Sequence, residues 1–165
     1  MEIIQEIHQA LIECAKTSKL VFGCKHQTLH LMQRILAFEV PVLKIESKAT
    51  SSKHINIEIM QTLLDLILDA TELFKLCNED NFLVEIYHRS DTVRRFRGTK
   101  LALGKIATDT HRFHLSNTFF CISSTDINDE RLDWVDGMRI LKQFVNIING
   151  DMDDELKLRS KKGML

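Results

Sequence analysis

The sequence predicts an all-α fold, an antiparallel four-helix bundle with an additional C-terminal helix. The first observation is the scarcity of helix breakers, because residues 1–117 contain one proline, Pro41, and only three glycines. The second is that apolar residues recur every three or four positions in four long blocks of that stretch. Long helices with short connections pack as antiparallel neighbours, so we expect the blocks to share one core.

The first two helices are predicted over residues 2–22 and 24–46. The first has its glutamates early and its lysines late, which suits the helix dipole. Pro41 lies inside the second helix and removes a backbone donor, which predicts a kink or short break near Phe38. The small polar residues 47–53 that follow predict a surface loop.

The third helix is predicted over residues 56–77, where a regular apolar stripe begins at Ile59 and Leu63. Residues 78–81 predict a turn. The apolar segment 82–87 is too short to be a full helix, and its pattern fits either one helical turn or an extended connector.

The fourth helix is predicted over residues 90–114, with Ser90 as its N-cap. The Ser/Thr-rich residues 116–128 predict a linker, and a fifth helix is expected from Asp129 to Gly150, before a charged tail. We therefore expect a four-helix bundle at 1–117, a linker at 118–128 and a last helix with its tail at 129–165.

Charge is distributed in blocks, although the net charge is only −1. Residues 89–112 carry seven basic and two acidic side chains (+5), whereas residues 126–155 carry three basic and nine acidic ones (−6). The basic block fits a solvated helix face, an anionic lipid surface or an acidic protein patch. It lacks interleaved aromatics for base stacking, so no nucleic-acid partner is expected. We find no signal peptide and no apolar stretch of the roughly 18 residues that a membrane span needs.

Residue types that carry chemistry are scattered. The four cysteines form no C-x-x-C pair and are expected to be reduced, and no glycine-rich phosphate loop is present. His26 and His30 share a helix face at i, i+4 but have no third metal ligand nearby. A Cys–His nucleophile pair stays open, because such partners need not be sequence neighbours. We expect no enzyme activity, metal or cofactor.

Several segments together resemble a known family. They are residues 12–36 with Cys14 and Cys24 ten apart, Pro41 late in the second helix, and residues 82–109 with the pattern Val93-Arg94-Arg95-Phe96. The chain resembles the N-terminal HeLo-type four-helix bundle, with its brace helix, of the mixed lineage kinase domain-like protein family. The acidic helix 129–149 stands where the brace should be.

The resemblance implies a cytoplasmic effector of programmed, necroptosis-like cell death. In that family a kinase-like or sensor domain follows the bundle, and the released bundle self-associates on phosphoinositide-rich plasma membrane and permeabilises it. The alternative is a non-lytic adaptor bundle attached to such a domain. Basic residues expected to contact anionic lipid lie on the first, second and fourth helices: Lys16, Lys19, Lys25, Arg34, Arg94, Arg95 and Arg97.

The acidic fifth helix is expected to restrain the bundle. Its hydrophobic face should set the docking and its charges the orientation, because exposed ion pairs contribute only about 0–1 kcal/mol each. The side chains expected to be buried against the bundle are Leu132, Val135, Leu141, Val145 and Ile148. Deletion of residues 129–165 should then increase membrane activity or self-association.

Overall fold

The computed structural model describes residues 2–47, 57–109 and 120–161, with side chains over 2–44, 57–108 and 120–150. Within these ranges the chain is all helical and contains no strand, which confirms the predicted class. The α-helices are α1 (Glu2–Ser18), α2 (Lys25–Leu36), α3 (Glu39–Ser47), α4 (Ile57–Leu76), α5 (Phe82–Tyr87), α6 (Arg89–Asp109) and α7 (Ser124–Lys161), with a 3₁₀ turn at Glu79–Asn81.

The predicted second helix is divided in two. The first part ends at Leu36 and the second begins at Glu39, so the expected break near Phe38 is confirmed, and Pro41 lies in the first turn of α3, where a missing backbone N–H costs little. Phe38 is fully buried and its ring lies 5.3 Å from that of Phe120. The break therefore turns a large side chain into the core.

The apolar stripes of α1 and α4 meet as their spacing predicts. One face of α1, with Ile4, Ile7 and Leu11, packs along α4, whose Leu63 and Ile67 are fully buried. α2 and α6 complete this cluster, and Phe96 of α6 lies against Phe74 of α4 with ring centroids 6.3 Å apart. We call α1–α6 the helical core.

The segment 82–87, which the pattern left undecided, is helical and two-sided. Phe82, Glu85 and Ile86 of α5 face inward, and Phe82 packs edge-on against Phe22 at 5.2 Å. Backbone N–H groups of Phe22 and Gly23 donate to the carbonyl of Cys77 at 2.8 and 3.0 Å. The α1–α2 connection therefore lies beside the connection from α4 to α5.

Four predicted boundaries are wrong. α1 ends at Ser18 rather than at residue 22. Ser90 is not an N-cap, because α6 already begins at Arg89. The last helix begins at Ser124 rather than Asp129, and it runs through Gly150 to Lys161. A Cβ added at Gly150 would meet open space, so the chain there packs against no other element. The predicted ends at 110–114 and the linker residues 116–119 lie outside the described residues.

Candidate functional site

One face of α7 is lined by carboxylates. Asp126, Asp129, Glu130 and Asp133 recur every three or four residues, so they share one side of the helix. All four are buried, with Asp126 only 1% exposed and Asp133 only 2%. We call these four residues the acidic face; it packs mainly on α2, and its side chains also reach α6.

Asp126 binds two buried cations from different helices. Arg34 of α2 donates to both of its oxygens at 2.7 Å, and Lys100 of α6 donates to Oδ1 at 3.1 Å. Asp126 also accepts the backbone N–H of Ser123 at 2.8 Å and donates its own to the Ser123 hydroxyl, which is the capping box that starts α7. Burial alone would raise the pKa of Asp126, but Arg34, Ser123 and Lys100 together hold that pKa well below its ordinary value.

Asp133 supplies the cap that α2 lacks. Cys24 stands at the N-cap position of α2 but makes no side-chain capping bond. Instead, the backbone N–H groups of His26 and Gln27 donate to the two oxygens of Asp133 at 3.0 and 2.9 Å, and the Gln27 amide adds a third bond. A carboxylate at a helix N-terminus is favoured by the helix dipole. Burial raises the pKa of Asp133, and these hydrogen bonds oppose the rise.

Arg89 joins α5, α6 and α7. Its guanidinium makes two bonds of 2.6 Å to Glu85, donates to the backbone carbonyl of Asp133 at 3.0 Å and lies 5.5 Å from the Trp134 ring centroid. Gly137 permits this approach, because a Cβ there would lie 2.7 Å from Ile86 Cδ1 and 3.1 Å from Arg89 Nη1. The Arg89–Glu85 ion pair is fully buried, so each charge depends on the other to offset its loss of hydration.

The rim of the interface is wetter. Arg97 of α6 makes two short bonds to Glu130 and is 47% exposed, His30 pairs with Asp129, and His26 Nε2 lies 3.5 Å from Asp136. Each of these pairs has a partly exposed cationic partner. Such pairs help to orient α7 but contribute little to its stability.

The expectation that apolar side chains dock the last helix is corrected. Leu132 and Leu141 are partly buried, but Val135, Val145 and Ile148 are 58%, 46% and 59% exposed. Val135 lies on the side opposite the acidic face, and residues 142–150 are all exposed. The Phe144 ring still lies 5.8 Å from Phe82. Carboxylates therefore occupy the positions that face the helical core.

The residues expected to contact lipid divide into three groups. Lys16, Lys19 and Lys25 are exposed around the α1–α2 connection, and Arg94 and Arg95 are exposed on α6. Arg97 is engaged with Glu130. Arg34 is only 6% exposed and its guanidinium is held by Asp126, so it is not accessible to lipid while α7 is docked.

Among the described residues, three clusters bring together residue types that bind metals: Cys24–Cys77–Glu85, His26–Asp133–Asp136 and His30–Asp126–Asp129. In the first, Arg89 already occupies both oxygens of Glu85, and in the third Arg34 and Lys100 neutralise Asp126. In the second, both oxygens of Asp133 accept bonds from α2. The existing partners disfavour a cation at each cluster, and the expected i, i+4 histidine pair is directed to separate carboxylates.

Sequence reasoning missed the residues that build this interface. Glu85, Arg89 and Lys100 belong to no local sequence motif. The available signal is the three-and-four spacing of acids along α7, which the sequence analysis credits only with orienting the helix.

Within the described residues, no helix combines the length and apolar character required to cross a bilayer. Neither a family model, nor a curated protein, nor a solved structure matches this chain.

Proposed function

We propose that this protein is a four-helix bundle with a brace helix, α7, that acts on anionic membranes and self-associates there when α7 is released. The proposal combines the family resemblance with an apolar surface at one end of the helical core. It is a proposal for a lytic, necroptosis-like effector that moves from the cytoplasm to phosphoinositide-rich plasma membrane. A kinase-like domain would control α7.

The observation that carries the membrane proposal is the outward face of α5. Leu83, Val84 and Tyr87 are 58%, 64% and 84% exposed, and Leu20, before Phe22 in the adjoining connection, is 73% exposed. We call these four residues the end surface. Exposed apolar and aromatic side chains grouped at one end of a domain are typical of contacts with partners or with the membrane interface.

Basic residues accompany the end surface. Lys16, Lys19 and Lys25 are exposed on either side of Leu20, while the acidic residues Glu79 and Asp80 precede α5. Each lysine near an anionic surface is worth about 1 kcal/mol and is screened beyond a Debye length. The arrangement supports shallow, salt-sensitive binding in which apolar insertion and lysine contacts act together.

The chemistry of the α7 interface supports the proposed restraint. Its buried polar contacts are carboxylate–cation and carboxylate–amide bonds. All of them are broken at once when α7 undocks. Buried charges are costly without partners, so release of α7 would rehydrate Arg34, Lys100 and Arg89 and open the surface that they line. A point substitution tests this better than the deletion of residues 129–165, which removes several partners at once.

The test uses vesicles of phosphatidylcholine with or without a phosphoinositide, with co-sedimentation and dye release as readouts. The triple variant Leu83→Ser, Val84→Ser, Tyr87→Ser should reduce dye release at least about tenfold, since three inserted side chains each contribute roughly 1.5–3 kcal/mol when fully buried. The matched control is Leu68→Ser with Leu101→Ser, two exposed apolar positions on α4 and α6. Equal release by both variants would reject the end surface.

A second arm separates the two basic regions. Lys16→Glu with Lys19→Glu and Lys25→Glu tests the α1–α2 connection, and Arg94→Glu with Arg95→Glu tests α6. Arg97 is left intact because it holds Glu130. We expect both variants to weaken sedimentation at low salt, and unchanged binding would remove that region from the lipid site.

The restraint has a matched pair of variants on one helix. Gly137→Leu forces a side chain into Ile86 and Arg89, whereas Gly150→Leu meets open space. Gly137→Leu should displace α7, increase self-association and raise dye release, and Gly150→Leu should do neither. If displacement of α7 leaves a monomer with unchanged release, the restraint proposal fails.

The alternative is a non-lytic adaptor. Phe144, Val145, Ile147 and Ile148 of α7 are 40–61% exposed, and such a row suits an amphipathic partner helix. An adaptor would give no dye release from any vesicle composition, even as Gly137→Leu.

A further inference from the structure

We propose that Cys24 and Cys77 form a redox-active dithiol that closes into a single intramolecular disulfide between the start of α2 and the end of α4. The two residues are 53 positions apart in sequence, and no local motif connects them. The expectation that the four thiols are simply reduced and independent does not include this pairing.

The tertiary structure brings the two sulfurs together. The ligand atoms of Cys24, Cys77 and Glu85 all lie within 4.8 Å of one another, and the two cysteines are 2% and 1% exposed. A disulfide needs a sulfur–sulfur distance of about 2.05 Å, so the sulfurs must move closer by a few ångströms at most. The other two thiols lie outside this cluster. Cys14 is buried on α1, and Cys121 is exposed before α7.

The backbone around the pair is already held in place. The carbonyl of Cys77 accepts the N–H groups of Phe22 and Gly23, and Cys24 adopts a left-handed conformation with φ of 56°. This conformation is uncommon for a non-glycine residue and indicates that the surroundings dictate the direction of its side chain. The connection therefore presents Cys24 to Cys77 without a large rearrangement.

The reaction balances with a peroxide as the oxidant. One thiolate attacks a peroxide oxygen to give a sulfenic acid and, after protonation, water. The second thiol then attacks that sulfur and releases another water, so two thiols and one hydrogen peroxide yield one disulfide and two waters. Contact with Cys77 and burial raise the pKa of the Cys24 thiol, so oxidation should be slow until the connection opens.

Closure of the disulfide should affect the first turn of α2, to which α7 binds. Cys24 directly precedes α2, and the first amides of α2 bind Asp133. Cys24 Sγ also lies 3.6 Å from Glu85, the partner of Arg89. A bond from Cys24 to Cys77 would join the start of α2 covalently to the end of α4. The pairing itself is independent of the proposed membrane function.

The experiment uses the full chain with Cys14→Ser and Cys121→Ser, so that only the pair remains and intermolecular links are excluded. The protein is treated with hydrogen peroxide, both directly and during refolding from urea, then quenched with acid, alkylated and mapped by mass spectrometry. We expect the peptides of Cys24 and Cys77 to be joined, and the refolding route to react faster than the direct route. Failure to form this link by either route would overturn the proposal, as would stoichiometric zinc that protects both thiols in the purified protein.

Two further readouts test its consequence. The disulfide should raise the thermal midpoint by roughly 5–15 °C, and reductant should reverse the rise. Amide exchange at His26 and Gln27 should slow in the oxidised protein, whereas Cys24→Ser and Cys77→Ser should show no response to peroxide. A disulfide that forms without slowing amide exchange at His26 and Gln27 would contradict its proposed effect on the first turn of α2, whatever the result of the vesicle assays.

Discussion

The interface between α1 and α4 and the interface between α7 and the helical core solve the same packing problem with opposite chemistry. The first buries Ile4, Ile7, Leu63 and Ile67 without a charge among them. The second buries the acidic face against Arg34, Lys100, Arg89 and the first turn of α2. The first therefore gains from any apolar contact, whereas the second depends on particular atoms being opposite one another.

This difference separates strength from specificity. A fully buried aliphatic side chain contributes roughly 1.5–3 kcal/mol in any orientation. A buried ion pair must first offset the loss of hydration of both charges, so its net contribution is small while the loss of one partner is severe. The α7 interface is consequently selective for its partners and responsive to pH, whereas the apolar α1–α4 interface does not respond to pH.

The largest effect should follow removal of the shared carboxylate. Asp126→Ala leaves the buried charges of Arg34 and Lys100 uncompensated, which costs about 3–5 kcal/mol. Urea unfolding followed by circular dichroism measures it. Asp91→Ala is the control, because Asp91 is exposed and only 3.4 Å from an exposed Arg94, and a similar loss in both variants would contradict the role of burial.

A core cavity should be nearly as damaging but different in kind. Ile67→Ala on α4 removes a fully buried side chain and should cost about 2–5 kcal/mol. Trp134, the only tryptophan, lies under Arg89 on α7 and reports docking. Trp134 fluorescence of the folded Ile67→Ala variant should equal that of the wild type. On urea unfolding, the fluorescence and circular dichroism transitions should shift together to lower urea. A change in folded-state fluorescence would show that the two interfaces are not separable.

Acid should weaken the α7 interface through Asp126. Its pKa in the folded protein lies below the ordinary value of 3.8, so its stabilisation is fully present above about pH 4 and declines as the pH falls below that value. The difference in unfolding free energy between the wild type and Asp126→Asn should therefore shrink between pH 5 and pH 3. A difference that grows on acidification would reverse the assigned sign.

The smallest effect is expected at the rim. Arg97→Ala and Glu130→Ala each break a pair whose arginine is about half exposed, at a cost of roughly 0–1 kcal/mol. A double-mutant cycle should give a coupling that disappears at about 1 M salt, where the Debye length is about 3 Å. A coupling that persists in salt would place this pair with the buried contacts instead.

Sequence spacing worked where one force dominates. The stripes of α1 and α4 and the break near Phe38 follow from apolar periodicity and from Pro41, and both are confirmed. The same reasoning misplaced the start of α7, because Ser123 and Asp126 were read as linker although they form a capping box. It also ended the helix at Gly150, which the described helix passes through.

By itself the sequence determined the helical class, the apolar stripes of α1 and α4 and the opposite charges of α6 and α7, because these depend on local propensity, periodicity and composition. Only the tertiary structure decided that carboxylates rather than valines face the helical core, that Asp133 caps α2 and that Cys24 meets Cys77. The physical reason is that a charge is stable in the interior only when a partner, often dozens of residues away, is fixed at bonding distance. Periodicity shows which residues share a face, and the partner's position shows which face is buried.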